Sequence, residues 1–294
     1  MHGARGHDQE PAWQAWLAQR SENAWAWDQV QQTVGQFQRV PGPGAQALLQ
    51  AQRGVQRRGM LKGFVLLAGA SALGYGGWRQ GREAGWYADL HSAFGQRLDT
   101  TLADGTRLQL NSDSAVDVLY DGRQRRLVLR RGEVLVSTAH DVLDRPFFVE
   151  VAQGTVQALG TRFSVRQRDA GAEVAVFEHR VRLTPASGQP LLLESGQQCV
   201  LGAQGTSAVT AVAPGQDAWG QGLLVANRQR LDDFLAELGR YRSGWLRCDP
   251  AVAGLRISGT FVLDDSDGAL RALEASLPVR VVQRSRFWVT VMPR

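Results

Sequence analysis

Apolar positions change their spacing twice along the 294-residue chain, and each change marks a different kind of segment. In residues 13–37 they fall at steps of three and four: Trp13, Trp16 and Leu17, then Trp27, Val30, Val34 and Phe37. One apolar face at that period predicts amphipathic helices. Gln29, Gln31, Gln32, Gln36 and Gln38 fill the other positions, and the run PGPG at 41–44 stops the helix. Residues 45–56 predict a further helix. Few good helices in a segment this short bury too little surface for a robust core of their own. The Trp-rich face, with Trp25 beside it, therefore suits a small core or completion on a partner.

Residues 63–78 then run for sixteen positions without a charge. At about 1.5 Å per residue this is short for a hydrocarbon layer of about 30 Å. Met60, Leu61 and a snorkelling Lys62 extend it to a marginal span, so residues 59–80 are read as one transmembrane helix. Its five glycines suit a membrane helix better than one in water. Arg53, Arg57, Arg58 and Lys62 precede the run and only Arg79 and Arg82 follow it, which orients the N-terminus toward the cytoplasm. The flank RRGMLK at 57–62 fits the twin-arginine export pattern through Arg57, Arg58 and Lys62; a plain block of positive charge that fixes orientation fits too. With no small-residue cleavage site after it, the segment reads as a retained anchor.

Beyond residue 90 the period drops to two. RLDTTL and TRLQL alternate around Ala103-Asp104-Gly105, a hairpin signal. AVDVLY, RRLVLRR, EVLVSTA, PFFVEVA, TVQALG, RFSVRQ, EVAVFEHRVRL and LLLES follow, separated by Gly, Asp, Asn and Pro. Residues 90–213 therefore form an all-β unit; spacing does not choose between a sandwich and a solenoid. Residues 220–294 change pattern again. GLLVANRQ predicts a strand, and Leu231, Phe234, Leu235 and Leu238 a helical face. WLRCDP and GLRISGTFVL return to strand. Asp264-Asp265-Ser266 caps a second helix carrying Leu270, Leu273 and Leu277, and the chain closes as two strands around Arg284-Ser285-Arg286. This alternation of strands and helices is a small α+β domain. Its outer strands suit extension by a partner strand, with Leu223, Leu224, Val225, Trp288, Val289 and Val291 the candidate docking residues.

Composition narrows the functional classes. Lys+Arg total 33 against 28 Asp+Glu, and Lys62 is the single lysine. No block of five like charges offers a nucleic-acid arm. Two cysteines are too few for a disulfide scaffold; Cys199 and Cys248 suit a bridge between the two modules or two separate buried thiols. No hydrolase elbow, phosphate loop or metal spacing is present, and His2, His7, His91, His140 and His179 share no motif. We therefore expect no cofactor, no metal and no enzyme acting on an external substrate. Asp232-Asp233 and Asp264-Asp265 read as charges at helix starts. Gly160-Thr161 is the one bond with chemistry of its own. A Thr hydroxyl beside a Gly carbonyl can attack it to form a more labile ester, and a tight turn is the plain alternative.

Several strings in order resemble the FecR/PupR-type transmembrane regulators of iron-starvation sigma factors. They are LADGTRLQLN at 102–111, LRRGE at 129–133, RPFFV at 145–149, LGTRFSV at 159–165, SGQQ at 195–198, AWGQG at 218–222 and LAELGRYR at 235–242. AWL at 15–17 and AWAWD at 24–28 are similar to the second half of that family's cytoplasmic anti-sigma domain, so residues 1–58 read as a shortened version of it. Residues 220–294 resemble the short N-terminal domain of secretins and TonB-dependent receptors.

The resemblance implies a single-pass inner-membrane protein, N-terminus cytoplasmic and bulk periplasmic. Trp13, Trp16, Leu17, Trp25, Trp27, Val30 and Val34 would meet an extracytoplasmic-function sigma factor. The C-terminal docking residues would meet the signalling domain of an outer-membrane TonB-dependent transducer for a ferric siderophore or haem. Membrane proteases would then free the sigma factor, without direct contact to nucleic acid. The resemblance also implies self-cleavage at Gly160-Thr161, as in some members. The chief rival is a membrane-anchored periplasmic binding or envelope-assembly module with no sigma partner.

Overall fold

The computed structural model describes residues 88–294. The helical segment, the charge-free run and their candidate residues, from Trp13 to Lys62, lie outside the described residues. Within those described, no helix is long and apolar enough to cross a membrane. The described residues belong to one compact unit.

The alternating segments fold as strands: β1 (Leu90–His91), β2 (Leu98–Thr101), β3 (Arg107–Leu110), β4 (Ala115–Tyr120), β5 (Arg125–Arg131), β6 (Glu133–Ser137), β7 (Phe147–Val151) and β8 (Gly154–Ala158). They continue as β9 (Arg162–Arg168), β10 (Gly171–Glu178), β11 (Arg180–Pro185), β12 (Leu191–Glu194), β13 (Gln197–Gly202), β14 (Gly205–Thr206) and β15 (Thr210–Ala211). One sheet has the order β1-β4-β5-β7-β8-β11-β12; the other runs β14-β13-β10-β9-β6-β3-β2, with β15 also on β13. Pairing is antiparallel except between β5 and β7.

The two sheets face each other across one core. Leu127, Phe147, Val149, Val156 and Leu183 of the first meet Leu108, Val134, Val136, Phe163, Val165 and Val174 of the second, all essentially closed to water. Two-layer packing settles the choice in favour of a sandwich. The chain changes sheet every one or two strands. Gly132 makes one such crossing, between β5 and β6, at φ 84°. Its left-handed backbone suits glycine, and a Cβ there would overlap Ser114. His179 makes another at φ 54°, cutting the apolar run EVAVFEHRVRL into β10 and β11 on opposite sheets.

After a 3-10 turn at Ala218–Gln221 the second module begins. Its order is β16 (Leu223–Arg230), α1 (Leu231–Leu238), β17 (Trp245–Cys248), β18 (Arg256–Val262), α2 (Ser266–Ser276), β19 (Val279–Ser285) and β20 (Trp288–Pro293). Asp232 and Asp233 sit in the first turn of α1, and Asp265 caps α2 by accepting from Gly268 N at 2.8 Å. β16 pairs antiparallel with β18, and β20 lies between β17 and β19. Leu231, Phe234, Leu235 and Leu238 of α1 and Leu270 and Leu273 of α2 pack on Ile257, Val279, Val289 and Val291. This is a complete apolar core separate from that of the sandwich. Cys199 lies in the first core and Cys248 beside the second; both thiols are free. Burial pushes the Cys199 thiol up to about 11, leaving it inert at neutral pH.

Candidate functional site

The bond singled out by the sequence sits at the end of the sandwich where β8 gives way to β9. Gly160 turns the chain at φ 71°, and Thr161 is 4% exposed. Thr138 holds Thr161 on both sides. Its hydroxyl accepts from Thr161 N at 2.9 Å, and its N–H donates to Thr161 O at 3.1 Å. The Thr161 hydroxyl donates to the Glu178 carbonyl. The hydroxyl thus belongs to the residue immediately after a left-handed glycine, inside a fixed loop. Its hydrogen-bond partner is a backbone carbonyl, so proton transfer during attack has no side-chain base at this oxygen. An open groove of about 410 Å³ runs beside Gly160, walled by Thr138, His140, Asp141 and Arg145.

The candidate docking residues divide by burial. Val289 and Val291 are 1% and 0% exposed and belong to the module's own core. Their strand β20 has both edges paired, so it cannot accept a further strand; the free edges belong to β17 and β19. Trp288 faces outward from the same strand. It stacks with Trp245 of β17, ring centroids 6.4 Å apart, and Trp245 is 62% exposed. Arg247 lies over both rings, at 5.5 and 5.2 Å. Phe287, 48% exposed, continues the patch with Arg286 over its ring. Trp245 escapes the sequence reading because WLRC reads only as a short strand; that alternate positions face water is a period-two signal that could have marked it.

Leu223, Leu224 and Val225 of β16 are half-buried and line a cleft of about 380 Å³ between the second module and the outer face of the sandwich. Trp219 also lines it and packs with Leu135 and Leu263. A polar cluster closes the joint. Arg240 pairs with Glu133 at 2.7 Å and with Glu237 at 3.2 Å, and Arg166 pairs with Glu237 at 2.7 Å. Tyr241 donates to Asn111 Oδ1 at 2.7 Å, and Asn111 Nδ2 donates to Glu133 at 2.9 Å. Ser112 Oγ donates to the Arg240 carbonyl at 2.6 Å. Burial pushes the Glu237 carboxyl up, but Arg166 and Arg240 outweigh it and hold the group below its ordinary range. Burial also pushes the Tyr241 phenol up to about 12. Arg97 adds a paired contact to Asp264 at 3.0 Å, and Arg162 reaches Asp217. Among the described residues, no cluster of His, Cys, Asp or Glu is arranged to hold a metal ion.

Comparison with known proteins bears on this architecture. Residues 88–182 match the model of the FecR protein family, across the sandwich from before β1 into β11. Two solved structures of a protein from Parabacteroides distasonis, provisionally described as an anti-sigma factor, share the fold. Each has a TM-score of 0.57 and 22% identity, covering 70% of this chain and 98% of that one. No curated protein matches the chain.

Proposed function

We propose that this chain, which belongs to the FecR-type anti-sigma factor family, regulates a sigma factor from the inner membrane. The observation that carries the reading is the FecR match over the sandwich, together with a fold shared with a protein described as an anti-sigma factor. The charge-free run at 63–78 supplies the single span, with the Trp-rich residues 1–58 inside and the two folded modules in the periplasm. Trp13, Trp16, Leu17, Trp25, Trp27, Val30 and Val34 hold an extracytoplasmic-function sigma factor. The patch of Trp245, Arg247, Phe287 and Trp288 beside the free β17 edge receives the signalling domain of an outer-membrane TonB-dependent transducer that carries a ferric siderophore or haem. Exposed aromatics with arginine are the residue types that anchor interfaces. Membrane proteases then release the sigma factor. The chain has no external substrate.

Self-cleavage prepares the protein. The Thr161 oxygen attacks the Gly160 carbonyl carbon, a C–O bond forms as the C–N bond breaks, and the hydroxyl proton passes to the new amine. Water then hydrolyses the ester, leaving a carboxylate on Gly160 and a free amine and hydroxyl on Thr161. Both fragments stay together, because β9 lies within the second sheet and β8 within the first, around one core.

The regulator reading is tested with a sigma-dependent reporter in cells lacking the chain. Restoring the full chain should set the reporter under control of the transducer's ligand, and a chain without residues 1–58 should not. A reporter indifferent to the chain in both ligand states would refute the reading.

A further inference from the structure

We infer that the end of the sandwich carrying Val142 and Leu143 rests on the lipid surface of the membrane that anchors the chain. These two side chains are 92% and 66% exposed, more than any other large apolar side chain described. Single exposed apolar residues are common and need no explanation. Here two adjacent ones cap a turn that cannot fold them inward.

Asp144 N donates to the Asp141 carbonyl at 3.0 Å, closing a four-residue turn with Val142 and Leu143 at its tip. Asp141 accepts from Arg145 N and Nε at 2.9 Å and from its Nη2 at 2.7 Å. Arg145 also donates to the Asp121 carbonyl at 2.9 Å. Beneath them Arg125 donates to the carbonyls of Arg145 and Ala139 and pairs with Asp104 at 2.7 Å, where the carboxylate is 1% exposed. The tip is thus a rigid apolar knuckle on a buried ionic base.

Its position follows from strand direction. β1 runs antiparallel to β4, pairing Leu90 with Val116 and His91 with Ala115. The chain ahead of β1 therefore arrives at the Tyr120 end of β4. β5 begins at that end, and Arg125 pairs with Phe147, the first residue of β7. The turn at 141–144 leads into β7, so chain entry and knuckle share one end of the sandwich. Ala158 pairs with Phe147, which brings the Gly160 turn there as well. Leu119, 52% exposed, lies near the same end of β4.

This inference rests on the reading of residues 59–80 as a span. Seven residues then separate the span from residue 88, a reach of at most about 25 Å. A knuckle held so near a bilayer needs little intrinsic affinity, because the tether keeps its effective concentration high. Asp141 pairs with Arg145 and Asp104 with Arg125, and exposed Asp144 and Arg123 at the same end carry opposite charges, so the net attraction is apolar and insensitive to salt. The Glu133–Arg240 joint lies beyond the other end of β5, about 20 Å away at strand spacing. The docking module therefore faces away from the bilayer.

The test uses the full chain in vesicles of phosphatidylcholine with phosphatidylglycerol. An environment-sensitive fluorophore is placed at Val142→Cys, Leu143→Cys or, as a control in the second module, Val262→Cys, in a Cys248→Ala background. Lipid-borne doxyl groups should quench positions 142 and 143 at least about twofold more than 262, iodide should quench them less, and salt should change neither. Equal iodide quenching at all three positions, in vesicles that retain the chain against alkaline extraction, overturns the inference alone. Release of the chain by alkaline extraction overturns both the inference and the span on which it rests.

Discussion

Replacing Arg240 by Met removes one charge from the joint between the modules and leaves the aliphatic packing of the side chain largely in place. The Arg240 side chain is 19% exposed, and its partners Glu133 and Glu237 are 6% and 25% exposed. Breaking a buried pair by deleting one partner costs about 3–5 kcal/mol, because the remaining charge is stranded. Arg166 stays 2.7 Å from Glu237 and 4.0 Å from Glu133, and Asn111 still donates to Glu133. These contacts lower the expected loss to about 2–3 kcal/mol. The double variant Glu133→Gln/Arg240→Met strands less charge and should cost less than the sum of the two single changes, by about 1–2 kcal/mol. Urea unfolding is the assay, with near-ultraviolet signals from Trp219 at the joint and from Trp245 and Trp288 beyond it. Wild type should unfold in one transition, whereas Arg240→Met should release the second module first. A single variant within about 0.5 kcal/mol of wild type, or strict additivity in the cycle, would refute the claim that this cluster fixes the modules together.

Four further outcomes follow from the same geometry. Thr161→Ala should run as one full-length band where wild type gives two, and Thr161→Ser should restore cleavage; wild type that stays intact on denaturing gels removes the acyl shift. Because the folded pKa of Glu237 is depressed, its contribution to the joint is complete above the ordinary carboxylate range and is lost as pH falls through the depressed value. Joint opening followed by hydrogen exchange at α1 should therefore rise on acidification below about pH 4.5; exchange unchanged down to pH 3 would contradict this. Gly244→Ala should destabilise the second module by about 1–3 kcal/mol in thermal unfolding, since φ is 106° and a new Cβ would fall 2.6 Å from Phe287 Cα; an unchanged melting temperature would count against the close approach of Gly244 to Phe287. Trp245→Ala with Trp288→Ala should weaken capture of the transducer signalling domain at least about tenfold while leaving the melting temperature nearly unchanged, as the rings are partly exposed.

Much of the architecture is written in the period of the apolar residues, and the omissions have identifiable causes. AVDVLY and RRLVLRR coincide with β4 and β5, which pair with each other along their length and put Val116, Leu127 and Leu129 into the core. β13 is missed because it opens with Gln197 and Gln198, whose side chains bond locally rather than facing the core. Sheet changes at Gly132 and His179 are invisible to alternation, since a strand looks the same whichever layer it joins. In the second module the faces of α1 and α2 are legible from spacing alone, down to the cap at Asp265. The site is less legible than the fold. In the sequence Arg240, like Arg242, Arg247, Arg280, Arg284 and Arg286, reads as a solvated side chain or as a contact for an acidic partner patch. Only the three-dimensional approach of β6 and α1 turns it into a buried clasp, while Arg247 is free to lie on two tryptophans. Val289 and Val291 carry the right composition for a docking strand, but β20 is the centre of its sheet and not an edge.

The claim on which the account depends is that one end of this chain holds a sigma factor. Affinity purification of the full chain from detergent-solubilised inner membranes, with bound proteins identified by mass, measures it directly. The account predicts an extracytoplasmic-function sigma factor that disappears when residues 1–58 are deleted. Membranes that yield the intact chain with no sigma subunit, or a sigma subunit retained after that deletion, would contradict it.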